Sequence, residues 1–163
     1  MSFDAIFAAN RDFAASFKRS ELTGRAAQGL AIVTCMDSRI DPLRVVGMKA
    51  GDVKILRNAG ARVTEDVLRT LVLATHLLNV SQVLVMPHTD CRMASGTESQ
   101  VHEAIFKASG IDTRSIEIRT VTDQRAALEM DVLRVKSFPF LPKELEVAGA
   151  IYDVKSGMLE RIL

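Results

Sequence analysis

No segment of this 163-residue chain approaches the ~20 consecutive apolar residues that a membrane-spanning helix requires. The start, Met1-Ser2-Phe3-Asp4-Ala5-Ile6, lacks a basic stretch leading into an apolar core, so it does not read as a secretory signal. Neither sign of charge is in excess. Twenty-one basic residues face 20 acidic ones, and a net charge of +1 argues against nucleic acid or an anionic membrane as the main partner. Cysteine is scarce, at two residues. Without an export signal both thiols meet a reducing cytosol, where metal or catalytic use is favoured over a disulfide. Internal repeats, low-complexity tracts and linkers are also missing. What remains is a cytoplasmic chain of single-domain length.

Apolar content of 48% and charged content of 25% are those of an ordinary globular domain. Phe3, Ile6, Phe7, Asn10, Phe13, Ala14 and Phe17 fall at helical spacing, which predicts an amphipathic helix over residues 3–18. Such a helix either covers the chain's own core or acts as an arm on another subunit. Leu30-Ala31-Ile32-Val33-Thr34, Val53-Lys54-Ile55-Leu56 and Val83-Leu84-Val85-Met86 are short apolar runs of the kind that form buried strands. Between the second and third lies a helix from Thr64 to Leu78, with Thr64 as cap and Glu65 and Asp66 in its first turn. Further helices are read around Val101–Ala108 and Leu128–Val135, and a hairpin from Ala150 to Ile162 turning at Lys155-Ser156-Gly157. Alternating strands and helices imply an α/β domain with a mainly parallel sheet flanked by helices.

Two polar clusters stand directly after predicted strands. One is Cys35-Met36-Asp37-Ser38-Arg39, the other His88-Thr89-Asp90-Cys91. In open α/β sheets the ligand crevice lies beyond the carboxyl ends of the strands, so both clusters are expected at one rim. Cys35, His88 and Cys91 together form a soft nitrogen-and-sulfur set suited to Zn²⁺, and three protein ligands leave the fourth position of a catalytic zinc open. Asp37 is placed to partner a metal-bound water, and Arg39 to hold Asp37 ionised. His76 and His102 fall inside helices and are read as structural or solvated.

Cys35-x-Asp37-x-Arg39 followed by His88-x-x-Cys91 resembles the zinc signature of the β-class carbonic anhydrases, and Arg57-Asn58-Ala59-Gly60 is similar to another of that family's segments. The likeness runs from about residue 28 to the C-terminal hairpin and is nearest the short bacterial members. It implies one domain over residues 1–163, with residues 1–20 as a helical arm and residues 28–163 as the α/β core. It further implies reversible hydration of carbon dioxide to bicarbonate and a proton by a zinc-bound hydroxide, with one zinc per chain held by Cys35, His88 and Cys91. Asp37 either takes the fourth metal position or pairs with Arg39, and both residues serve catalysis. Substrate contacts are implied at Asn58, Ala59 and Gly60, and a homodimer or homotetramer as the assembly.

One position departs from the family pattern: Arg92 stands where glycine is usual. It is expected to face outward; an inward arginine would attract bicarbonate or narrow the pocket. Two alternatives accompany the main reading. The same chemistry on this scaffold attacks carbonyl sulfide or carbon disulfide. Outside catalysis, a zinc-binding or redox-responsive protein would use the same cysteines, although it would have no need of Asp37 and Arg39.

Overall fold

The computed structural model describes residues 2–163 and builds its sheet from the three runs read above plus two C-terminal strands. β1 (Leu30–Cys35) is an interior strand and almost wholly buried, and β2 (Val53–Asn58) and β3 (Gln82–Met86) flank it. β4 (Glu146–Tyr152) and β5 (Leu159–Arg161) complete the order β2-β1-β3-β4-β5. The first four strands are parallel and β5 is antiparallel to β4. The fold is thus the α/β type expected, with the sheet mainly parallel.

Two strands are longer than the apolar runs announce. β2 continues through Arg57 and Asn58, polar residues that pair opposite Thr34 and Cys35. β4 begins at Glu146, so the strand read as half of a hairpin also pairs in parallel with β3. Gly149 interrupts its apolar pattern for a packing reason. A Cβ there would lie 3.1 Å from side-chain atoms of both Leu128 and Val132.

The helices connect the parallel strands. α1 (Phe3–Ala15) precedes β1, and the short α2 (Pro42–Val45) lies between β1 and β2. α3 (Glu65–Leu77) joins β2 to β3, with the Thr64 hydroxyl accepting from Val67 N–H at 3.3 Å. α4 (Glu98–Ser109) opens with a reciprocal cap between Thr97 and Gln100, and α5 (Gln124–Lys136) is capped by Asp123. One sheet face buries Ala31, Val33, Val83, Val85 and Val147 against Val67, Leu68 and Leu71 of α3 and Leu128, Val132 and Val135 of α5. Each such Val or Leu contributes about 1.5–3 kcal/mol on full burial.

The opposite face is covered mainly toward its carboxyl rim. Ile32, Met86, Ile40, Met93, Cys35 and Cys91 cluster there. Toward the amino end, Leu30, Leu84, Ala148 and Leu159 border an open cavity of about 690 Å³. α1 stops at Ala15, short of residue 18, where the hydroxyl and N–H of Ser16 both turn back to the Phe13 carbonyl. No residue of α1 is buried, and Phe3 is 78% exposed. Covering the chain's own core is therefore not what this helix does. Met1, included in the arm read over residues 1–20, lies outside the described residues.

Candidate metal centre

Parallel pairing of β1 with β3 sets Thr34 opposite Met86, so the two loops that follow leave the sheet side by side. Cys35 closes β1. His88 lies two residues past β3 and is held in line by a bridge to Tyr152, reinforced by Thr89 N–H donating to the Tyr152 carbonyl at 2.9 Å. Cys91 follows one turn later. The three side chains, 56 positions apart at the extremes, converge: their ligand atoms lie within 4.8 Å of one another and all three residues are buried.

Their geometry fits an ion. The two sulfurs are 4.0 Å apart, and a tetrahedral zinc with Zn–S bonds of about 2.3 Å separates its sulfurs by about 3.8 Å. His88 Nδ1 faces the Thr89 carbonyl at 2.8 Å, and since a carbonyl only accepts, Nδ1 carries the proton. Nε2 therefore presents a lone pair. That atom is buried and is the one buried side-chain polar atom without a hydrogen-bond partner among the described residues. An orphaned nitrogen beside two buried sulfurs is costly in a protein interior and is what a metal would satisfy. Burial pushes the Cys91 thiol up to about 11, with Cys35 adding to the rise. A bound cation reverses that balance and holds such thiols as thiolates.

The surrounding backbone supports this set. Gly60 N–H points to Cys35 Sγ at 3.4 Å from a left-handed conformation, φ 80, with Met93 Cβ 3.0 Å from where a Cβ would sit. Gln124 donates to the His88 carbonyl at 2.7 Å. Arg57 spreads its guanidinium over three carbonyls of the Cys35–Ile40 segment: Cys35 at 2.9 Å, Ile40 at 3.2 Å and Asp37 at 2.6 Å.

Asp37 and Arg39 form a two-pronged pair. Arg39 Nε donates to Asp37 Oδ1 at 3.0 Å and Nη2 to Oδ2 at 2.7 Å, while Arg39 N–H adds a third bond to Oδ1 at 2.9 Å. These bonds hold the Asp37 carboxyl well below the usual carboxylate range, the guanidinium hydrogen bonds contributing most. Asp37 Oδ2 lies 3.8 Å from His88 Nε2, so the carboxylate stands at the edge of the three-ligand set while paired with Arg39.

Other residues singled out from sequence have different surroundings. Both ends of the Asn58 amide are engaged by the backbone of Arg62: Nδ2 donates to its carbonyl at 2.7 Å and Oδ1 accepts its N–H at 2.9 Å. Asn58 thus ties the turn Ala59–Ala61, which Arg62 anchors to Asp131 of α5 through a 2.7 Å ion pair. Arg92 is exposed and turned toward Ser95. His76 bonds the Phe140 carbonyl and His102 the Thr113 hydroxyl, both away from the centre.

Three residues with evident roles were not read from sequence: Arg57 as a clamp, Gln124 behind His88, and Asp90. Asp90 takes Arg39 Nη1 on its carboxylate at 2.7 Å and Nη2 on its carbonyl at 3.0 Å. A weak signal existed for two of them. Arg57 heads a segment that was singled out, and Asp90 stands between two candidate ligands.

A family model described as carbonic anhydrase matches residues 30–159. The β-carbonic anhydrase 1 of Mycobacterium tuberculosis is 34% identical over 160 residues, covering 98% of this chain and 96% of the relative. The crystal structure of a carbonic anhydrase from Streptococcus mutans superimposes with a TM-score of 0.92 at 34% identity, covering 100% of this chain and 99% of that one. A carbon disulfide hydrolase from Acidianus sp. is 26% identical over 158 residues, covering 81% of this chain and 76% of the relative.

Proposed function

The chain belongs to the carbonic anhydrase family, and on that premise we propose that Cys35, His88 and Cys91 hold its catalytic zinc while Asp37 and Arg39 organise the hydration of carbon dioxide. The protein is an enzyme of the carbonic anhydrase type, its cofactor is zinc and its substrate a small molecule. One observation carries the residue assignment: a buried imidazole nitrogen without a partner faces two buried sulfurs, with a carboxylate 3.8 Å away.

Zinc held by Cys35, His88 and Cys91 would supply one thing, a lowering of the pKa of a coordinated water from 15.7 to about 7. The chain's residues do the rest. His88 is oriented by its Nδ1–H donating to the Thr89 carbonyl, which leaves Nε2 turned to the metal position. Asp37, at the edge of the ligand set, would accept a hydrogen bond from a hydroxide at the open position and so orient that oxygen toward carbon dioxide. Arg39 keeps Asp37 ionised and correctly rotated. The buried flank around Ile40 and Met93 limits water beside an apolar substrate. Residues 58–60 line the substrate side through their backbone, since the Asn58 amide is already engaged.

Residues 28–163 serve as the zinc-enzyme core and residues 1–20 as an arm. Exposed α1 and the open sheet face bordered by Leu30, Leu84 and Ala148 favour a homodimer or homotetramer. No described helix is long and apolar enough to cross a membrane. A cytoplasmic setting accords with two buried thiols kept reduced.

The test is stopped-flow hydration of carbon dioxide alongside metal analysis of the same preparation. One zinc per chain with turnover that chelation abolishes is the expected result; zinc without turnover across a broad pH range would select a non-catalytic protein. A second substrate deserves parallel assay because carbon disulfide hydrolases are among the relatives. Hydrogen sulfide release from carbonyl sulfide or carbon disulfide far above the rate of carbon dioxide hydration would reassign the substrate and leave the ligand set intact.

A further inference from the structure

Arg39 is gripped from two sides. Its Nε and Nη2 fork onto Asp37, two residues away, while Nη1 and Nη2 reach Asp90, 51 positions away in the other metal-site loop. Asp90 is able to offer both its carboxylate and its carbonyl because it sits at φ 55, a left-handed conformation that aspartate tolerates better than most residues. The arrangement joins the loop of Cys35 to the loop of Cys91 through one guanidinium.

The consequence concerns Asp37. Its Oδ2 is 3.8 Å from His88 Nε2, close enough that a small rotation brings the carboxylate into the reach of a cation held by the three ligands. A carboxylate is attracted to a divalent ion, and Arg39 competes for it. An arginine tethered by Asp37 alone would travel with that carboxylate; one also fixed by Asp90 stays behind. We propose that Asp90 is a positioning residue that anchors Arg39 and thereby keeps Asp37 off the metal, leaving the fourth position free. This inference rests on the zinc assignment above and adds to it a residue outside the ligand set.

Cobalt(II)-substituted protein at one fixed pH and ionic strength tests it, because the visible spectrum of cobalt reports the donor atoms and their number. Asp90→Asn retains a residue suited to φ 55 and removes the charge. Its spectrum is expected to move toward a carboxylate-ligated centre, with an about fivefold rise in the ligated-to-free ratio, the effect of losing one solvent-exposed ion pair. Asp90→Gly, which accepts the same φ, must reproduce the shift, and Asp90→Glu must restore the original spectrum in part. In an Asp37→Ala background the Asp90→Asn substitution must change nothing. An unchanged spectrum in both Asp90→Asn and Asp90→Gly overturns the proposal. So does a shift of equal size without Asp37, which would mean that Asp90 acts on the His88–Cys91 loop itself. A sulfur-to-cobalt band missing from the unsubstituted protein would instead overturn the ligand assignment, and the role of Asp90 with it.

Discussion

Asp37 Oδ2 and His88 Nε2 lie 3.8 Å apart, and only one of the two atoms has its hydrogen bonds made. The carboxylate is held by Arg39, while the imidazole nitrogen has no hydrogen bond and lies beside the two sulfurs. That asymmetry separates holding the metal, which falls to His88 with Cys35 and Cys91, from directing the reaction, which falls to Asp37.

Replacing Asp37 by Ala tests this separation. Zinc content is expected to stay at one per chain, because the three ligands are untouched. Turnover should fall by about 10²–10³-fold, the usual loss when an orienting group at the reacting atoms is removed. Activity near that of the unsubstituted enzyme would show that the orienting acceptor lies elsewhere.

Arg57→Lys keeps a positive charge and loses the fork that reaches the carbonyls of Cys35, Asp37 and Ile40. A single ammonium cannot span all three acceptors in that geometry. Stability measured by urea unfolding should drop by about 1–3 kcal/mol, with weaker zinc retention in a chelator competition. An unchanged midpoint and unchanged retention would mean that the Cys35–Ile40 segment is set by its other bonds.

Acid should weaken a contact between α4 and the segment that follows it. The Glu98 carboxylate accepts the backbone N–H groups of Ile118 at 2.7 Å and Arg119 at 3.2 Å, and these bonds lower its pKa, Ile118 contributing most. A depressed folded-state pKa gives stability that is fully present above the ordinary glutamate value of about 4.3 and is lost as pH falls through the folded value. Glu98→Gln is therefore expected to be less stable than the parent at pH 6, with the gap closing toward pH 3. A gap that widens on acidification would contradict the sign.

The arm is tested at Phe7, which is 61% exposed on a helix that buries none of its residues. In Phe7→Asp the sedimentation coefficient should report a smaller assembly, while the far-ultraviolet circular dichroism of the core is retained. A parent protein that sediments as a monomer would remove the arm from the account.

Much of this fold was legible because its central strands are continuous apolar runs cut off by polar clusters. Ala31, Ile32 and Val33 are fully buried, and the residues where such runs end, Cys35 and His88, are the ones that meet. The cap at Thr64 follows from local context in the same way. Less visible were features that depend on distant partners. Gly149 hides the first half of β4, and its reason is a close approach to Leu128 and Val132 that local sequence does not reveal. Arg57 and Asp90 look like ordinary surface charges until the loops they clamp are folded beside them. The Asn58 amide shows the converse: a residue set among substrate contacts turns out to be engaged at both ends by Arg62, four positions on. For α1, periodicity revealed an apolar stripe but not which molecule it faces.

Zinc K-edge X-ray absorption on the purified enzyme probes the metal's donors most directly. The account predicts a shell with two sulfurs at about 2.3 Å and an imidazole nitrogen at about 2.0–2.1 Å, completed by one light-atom ligand. A shell of nitrogen and oxygen alone, or a protein that retains no zinc after expression in ample metal, would contradict it.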